Sequence, residues 1–258
     1  RSFELETLLG LRPFSRLPRG YGSDALNYNA HSPGASVDVS HPKVSVIIPV
    51  FNAQRFVNRC LDSVLGQSAV KDVEVICVDD GSSDCSPAIL ETWRNRNARV
   101  KVVQQAHAGP GVARNRGLEC ATGEFVLFLD ADDELSSGEM LQRAVATATE
   151  LKCDVLCCSM DWLSTGGTRG ANDPAMSRTD LMPNGKLYSA AEADDAFFFL
   201  AVPVAWSKLY RREFIARERL AFPPLPQSED FPFAQLALSL GRISNCDIPL
   251  TLHRRHVA

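Results

Sequence analysis

From residue 43 onward the apolar positions follow two alternating rhythms. Val44–Val50 is a continuous, largely β-branched run, Val73–Val78 is a second, Val100–Gln104 a third, and Phe125–Leu129 a fourth. Apolar runs of this length without alternation predict strands covered on both faces of a sheet. Between them the period lengthens. Phe56, Val57, Cys60, Leu61, Val64 and Leu65 recur at helical spacing, and Pro110–Ala121 predicts a helix closed by Gly123. Ser86 as cap, with Pro87 in the first turn, opens the helix after the second strand. Ser136 with Glu139, and Ser189 with Glu192, have the spacing of capping boxes, the first opening a helix through Leu151. The remainder reads as strand Asp154–Trp162, strand Val204–Tyr210, short helix Arg212–Leu220, helix Asp230–Leu240 closed by Gly241, and a last strand near Ile248–His253. Alternating strand and helix predict an α/β fold with a mostly parallel sheet and crossover helices.

Two stretches lack this order. Residues 1–42 are rich in Pro, Gly, Ser and Asn after a short apolar start, and read as an N-terminal arm and linker. Residues 164–186 have no periodicity and read as a long loop. The 258 residues suffice for one large domain, placed at 43–258. A hydrophobic share of 45% and a charged share of 22% are those of a soluble globular chain. A net charge of −4 without a basic stripe argues against a nucleic-acid partner. Most of the eight cysteines sit in apolar, periodic segments, so they are expected as free thiols in a reducing, cytoplasmic setting. The longest apolar run, Ala196–Trp206, is too short to span a bilayer and contains Pro203.

Chemistry concentrates where the strands end. The fourth strand stops in Asp130–Ala131–Asp132–Asp133, three acids in four residues. Like charges so close repel and raise one another's pKa, a cost that a hard divalent cation such as Mg²⁺ or Mn²⁺ would cancel. Alone, such a run is equally a solvated acidic turn. The first strand, however, leads into Pro49–Val50–Phe51–Asn52, and the second ends in Asp79–Asp80–Gly81–Ser82. If the three strands are neighbours, these groups share one edge of the sheet, where open α/β folds place ligands. That edge suits a nucleoside diphosphate. Asp80 can accept from a uracil imide N–H, backbone around Pro49 and Phe51 can hold base and ribose, and a cation on Asp132 can bridge the phosphates.

The segments Val44–Asn52, Val78–Asp84, Gly109–Leu118 and Phe128–Asp133, in this order, resemble the inverting family-2 glycosyltransferases of the GT-A fold. Trp206–Tyr210, Ser228–Asp230 and His253–His256 agree with the resemblance, which spans roughly residues 43–256. It implies a Rossmann-like, mostly parallel twisted sheet with flanking helices and a C-terminal acceptor-side subregion. A nucleotide-sugar-binding half at 43–135 and an acceptor-side half at 136–258 follow. It also implies a nucleotide-sugar donor, a UDP-sugar first, a Mn²⁺ or Mg²⁺ cofactor, and a glycan, lipid-linked or small-molecule acceptor. A lipid-linked acceptor would bring the chain to the inner face of a membrane by peripheral association. Residue by residue, Pro49, Val50, Phe51 and Asn52 would line the nucleoside pocket and Asp80 would read the uracil. Arg114 would sit near the phosphates or support the acidic strand end. Asp130 and Ala131 would face ribose or donor sugar, and Asp132 would ligate the metal, with His256 as a further ligand. Asp230 would be the general base, with Glu229 next in line. Trp206 and Lys208 would form the acceptor-side floor. His253 departs from the family, which more often has Tyr there.

Two other functions compete. A nucleotidyltransferase would show a Gly-rich phosphate loop with a basic residue after the first strand, which Pro49–Asn52 is not. A non-catalytic sugar-nucleotide-binding domain would not need both Asp132 and Asp230.

Overall fold

The computed structural model describes residues 43–67, 72–136, 139–164, 168–170, 182–192 and 204–255. The expectations for the arm at 1–42, for most of the loop at 164–186 and for His256 fall outside these residues.

The described strands are β1 (Val44–Val50), β2 (Val73–Asp79), β3 (Val100–Gln104), β4 (Phe125–Phe128), β5 (Glu134–Leu135), β6 (Val155–Leu163), β7 (Arg169–Gly170), β8 (Leu187–Tyr188), β9 (Lys208–Arg211) and β10 (Ile243–Arg254). They form one sheet in the order β3-β2-β1-β4-β9-β6-β10-β5, with β7 paired to β6 and β8 to β10. Pairing is parallel from β3 through β4 and again between β6 and β10. β9 lies antiparallel between β4 and β6, so β6 and β10 still run in the direction of β1. The sheet is therefore mostly parallel, and β2, β1 and β4 are neighbours.

Helices α1 (Val57–Leu65), α2 (Ser86–Arg96), α3 (Pro110–Cys120), α4 (Met140–Leu151), α5 (Arg212–Arg217) and α6 (Asp230–Leu240) cover both faces. The alternation of the strands explains the two cores. Val44, Val46, Ile48 and Val50 face Val57, Leu61 and Val64 of α1, Leu90 of α2 and Leu141 of α4. Ile47, on the opposite face, joins Ala113 of α3, Phe214 of α5 and Phe233, Ala237 and Leu238 of α6. Because both faces are buried, β1 reads as unbroken hydrophobic sequence rather than an alternating one. At Gly117, a Cβ would lie 2.3 Å from Ile47 Cγ2, so only glycine lets α3 approach β1 this closely.

Several boundaries differ from the sequence expectation. The box of Ser136 and Glu139 does not form: Glu139 is the N-cap of α4 without a side-chain cap bond. Ser136 instead gives its N–H to Leu250 O and accepts from Arg169 at its hydroxyl. Glu192 does accept from Ser189 N at 2.9 Å, as a capping box requires. At α2 the capping oxygen comes from Asp84, which accepts from Ser86 N at 2.8 Å, while Ser86 Oγ accepts from Ala53 N. β10 is twelve residues long, because the polar stretch around Asp247 and Pro249 is absorbed as register shifts against β6. β9 begins four residues late: Ser207 sits at φ 59°, outside the strand region.

A buried carboxylate ties the lower edge of β1, β2 and α3 together. Glu74 on β2 accepts from Ser45 Oγ (2.6 Å), Thr122 N (2.7 Å), Thr122 Oγ1 (2.8 Å) and Lys101 Nζ (2.6 Å). Burial alone would raise its pKa, but the bonds from Lys101, Ser45 and Thr122 outweigh it and bring the value down to about 2. A carboxyl so depressed stabilises the fold above its unfolded pKa, and that stability fades as pH falls through the folded value. Glu74→Gln is therefore expected to cost on the order of 2 kcal/mol at neutral pH, the half-exposed Lys101 being discounted for screening. Urea unfolding should show the gap between variant and wild type closing as pH drops from about 4.5 towards about 2.

Candidate active site

The C-terminal ends of β2, β1 and β4 lie side by side, as the three motifs require. The loops after β1 and β2 clasp each other. Asp80 N donates to Val50 O (2.8 Å), Asn52 N to Ser82 Oγ (3.0 Å), and Ser83 N to Asn52 Oδ1 (2.9 Å). Asn52 is left-handed at φ 51°, a conformation its short amide side chain tolerates. Val50 is fully buried in the core and offers the edge only its backbone, whereas Phe51 is 47% exposed beside it. Pro49 is half-buried.

Asp80 is almost wholly buried, and its carboxylate is engaged from several sides. Oδ1 accepts from Gln105 Nε2 (2.7 Å) and Ala108 N (2.9 Å), and Oδ2 accepts from Gly109 N (2.9 Å). His107 Nδ1 lies 2.8 Å from the same Oδ2. Asp80 thus orders the loop between β3 and α3. His107, which sequence reasoning passed over, stacks on Phe51 with ring centroids 4.1 Å apart. No pattern of spacing marks it; only the three-dimensional proximity of the two loops does.

At the end of β4 the acids have different surroundings. Asp133 is fully buried, accepting from Arg254 N (2.8 Å) and lying 3.0 Å from His253 Nδ1. Its role is structural, pinning β10 to the turn. Asp130 and Asp132 are partly exposed, while Ala131 packs into the core. Asp130 Oδ1 accepts from Arg114 Nη2 at 2.7 Å, and Arg114 Nη1 donates to Glu229 Oε1 at 2.5 Å. Arg114 is 4% exposed, lies over the Phe222 ring, and its Nε finds no partner among the described residues. Of the two places expected for Arg114, the ion pair with Asp130 fits support of the acidic strand end. Burial opposes its charge, but Asp130 and Glu229 raise its pKa and hold it charged. Glu229 fits only because Gly111 has no side chain; a Cβ there would lie 2.8 Å from Glu229 Cγ.

Asp230 is the first residue of α6 and remains half-buried and open. Its carboxylate accepts from Ala205 N at 3.4 Å, and its pKa is raised, mainly by burial and further by Glu229, against the pull of Arg114. Ala205 begins the turn that carries Trp206, which stacks on His253 at 4.7 Å and 9°. The turn is held by Ser207 Oγ, which donates to Ser159 O at 2.9 Å. Lys208 is buried, donates to Val204 O at 2.9 Å, and has its pKa lowered by that burial.

Among the described residues no three His, Cys, Asp or Glu side chains are grouped to hold a cation by themselves. The donor set still suits Mg²⁺ or Mn²⁺, which prefer carboxylate oxygen. Mg²⁺ is commonly held by one or two protein carboxylates, with substrate phosphates completing its shell. Asp132 and Asp130 are such carboxylates, at the open end of a parallel sheet.

Residues 45–217 match the model of the family described as "Glycosyl transferase family 2". The chain is 32% identical over 218 residues to the uncharacterized glycosyltransferase EpsJ of Bacillus subtilis (strain 168), covering 83% of this chain and 62% of that protein. It is 32% identical over 206 residues to the poly(ribitol-phosphate) beta-N-acetylglucosaminyltransferase TarS of Staphylococcus aureus (strain Mu50 / ATCC 700699), covering 78% of this chain and 34% of TarS. The crystal structure of S. aureus TarS 1–349 in complex with UDP-GlcNAc superposes with a TM-score of 0.69 at 29% identity, over 84% of this chain and 59% of that one. The fold is therefore of the GT-A type, and this chain spans less than two thirds of the length of these relatives. With strand order, motif order and sequence in agreement, the chain belongs to glycosyl transferase family 2.

Proposed function

We propose that this chain is the catalytic portion of a glycosyltransferase that moves a sugar from a UDP-sugar to a glycan or lipid-linked acceptor with inversion at the anomeric carbon. The observation that carries the reading is the Arg114 bridge. One guanidinium joins Asp130, at the end of β4, to Glu229, the N-cap of α6, which supports reading Asp130, Asp132 and Asp230 as one site. The TarS structure, with UDP-GlcNAc bound, supports the choice of donor.

The roles divide by environment. Glu229 is committed to Arg114, so Asp230 is the carboxylate left to accept a proton. In the transfer, Asp230 takes the proton from the acceptor hydroxyl, whose oxygen bonds to the anomeric carbon. The bond from that carbon to the diphosphate oxygen breaks, and the electron pair leaves with UDP. A pKa raised by burial and by Glu229 makes Asp230 a stronger base than an exposed aspartate. Asp132, with Asp130 beside it, would hold Mn²⁺ or Mg²⁺ together with the donor phosphates, where the cation neutralises charge on the leaving diphosphate. Pro49 and Phe51 would flank the nucleoside, and Trp206, stacked on His253, would floor the acceptor side with Lys208. No helix among the described residues is long and apolar enough to cross a membrane.

Asp230→Asn should keep UDP-sugar binding and lower kcat by about 10²–10⁴-fold, the usual share of a general base. In the wild type the acid limb of kcat should lie above the ordinary aspartate range, because activity needs the ionised form of a carboxyl whose pKa is raised. Retained transfer in Asp230→Asn would contradict the assignment. Asp132→Ala should abolish the Mn²⁺-dependent part of UDP binding in calorimetry; equal affinity with and without Mn²⁺ in the wild type would contradict the metal role.

A further inference from the structure

His107 occupies an unusual position for a half-exposed histidine. Its ring lies on Phe51 at 4.1 Å between centroids and 22° between planes. Its Nδ1 is 2.8 Å from Asp80 Oδ2 and 3.2 Å from Asp80 O. Both of those oxygens are acceptors, so Nδ1 carries the hydrogen. A flat heteroaromatic ring therefore stacks on Phe51 and donates an in-plane N–H to Asp80. Uracil offers the same two features, a π face and an imide N–H.

We propose that the His107 imidazole is a built-in stand-in for the nucleobase, filling the base subsite in the free protein and leaving it when nucleotide binds. The inference rests on the donor reading above and adds a specificity-determining residue to it. The space between the rings admits nothing: a base sandwiched between two aromatic faces needs about 7 Å between them, and the pair is at 4.1 Å. The Asp80 carboxylate has no remaining place for a base N–H either, since Gln105, Ala108, Gly109 and His107 surround its two oxygens. Displacing His107 alone opens both the face and the acceptor.

That displacement requires no loop movement. Ala108 N and Gly109 N remain bound to Asp80, and the backbone at His107 is packed on Gly81, where a Cβ would lie 2.9 Å from His107 N. Rotation about the His107 side-chain bonds is enough, and the side chain, 57% exposed, has solvent to turn into. The stand-in also sets selectivity. A base whose edge presents N–H to Asp80 replaces what His107 gave up, whereas cytosine, with an unprotonated ring nitrogen there, leaves the carboxylate facing a lone pair.

A competent state that must first expel its own side chain binds with reduced apparent affinity. Calorimetry of UDP with Mn²⁺ should therefore show His107→Ala binding about three- to tenfold tighter than wild type, and both proteins should prefer UDP to CDP. In the wild type, ring-proton NOEs between His107 and Phe51 should be present without ligand and vanish on saturation with UDP. Wild-type binding of UDP with unchanged or weaker binding by His107→Ala, or NOEs that persist in the complex, would overturn the stand-in while leaving the donor reading intact. If neither protein binds UDP, the donor reading falls and this inference falls with it.

Discussion

A buried guanidinium held by two carboxylates from distant parts of the chain is the constraint on which the proposed site depends. Arg114 sits on α3, Asp130 follows β4, and Glu229 precedes α6, so a single side chain fixes three elements to one another. Moving such a charge out of water is costly, and the cost is offset only when both partners stay in place with good geometry. The ring of Phe222 on one side and Gly111 beneath Glu229 leave no slack in the arrangement. Its chemical consequence is a division of labour between adjacent acids. Glu229 is tied up in the bridge, and Asp230, one residue on, is left partly desolvated with a raised pKa.

The sheet supplies the other half of the geometry. Because β1 lies between β2 and β4, the loops that follow these strands emerge together, and each is held by hydrogen bonds to a neighbour. Asp80 shows how closely the residues are shared: the carboxylate that the sequence offers as a reader of the base also orders the loop at 105–109. The same groups serve the sheet edge and its scaffold.

Much of this was legible in the sequence. The unbroken runs at 44–50, 73–78 and 125–129 gave the central strands, since both faces are covered, and Asp230–Leu240 emerged as a helix with its first acid in place. Arg114 ties Asp130 to Glu229, next to Asp230, a link between motifs that their order in the chain already hinted at. What stayed hidden depended on pairing rather than on local pattern. The spacing of Ser136 and Glu139 promised a cap, yet tertiary partners claimed Ser136. The last strand is expected near 248–253, yet β10 starts at Ile243 and carries Asp247 and Pro249 as irregularities opposite β6. Arg114 left two places open, and its pairing with Glu229, more than a hundred residues away, has no local signal in the sequence. His107 had no signal at all, because its meaning comes from the Phe51 ring across the cleft.

The most direct test of the account is a double-mutant cycle on the bridge, using Arg114→Met, Glu229→Gln and the pair, read by urea unfolding. A load-sharing buried ion pair predicts that the second substitution costs far less once the first is made, with a coupling energy on the order of 2 kcal/mol or more. Effects that add to within about 0.5 kcal/mol would mean that Arg114 and Glu229 act independently, and the single site built on their bridge would be contradicted.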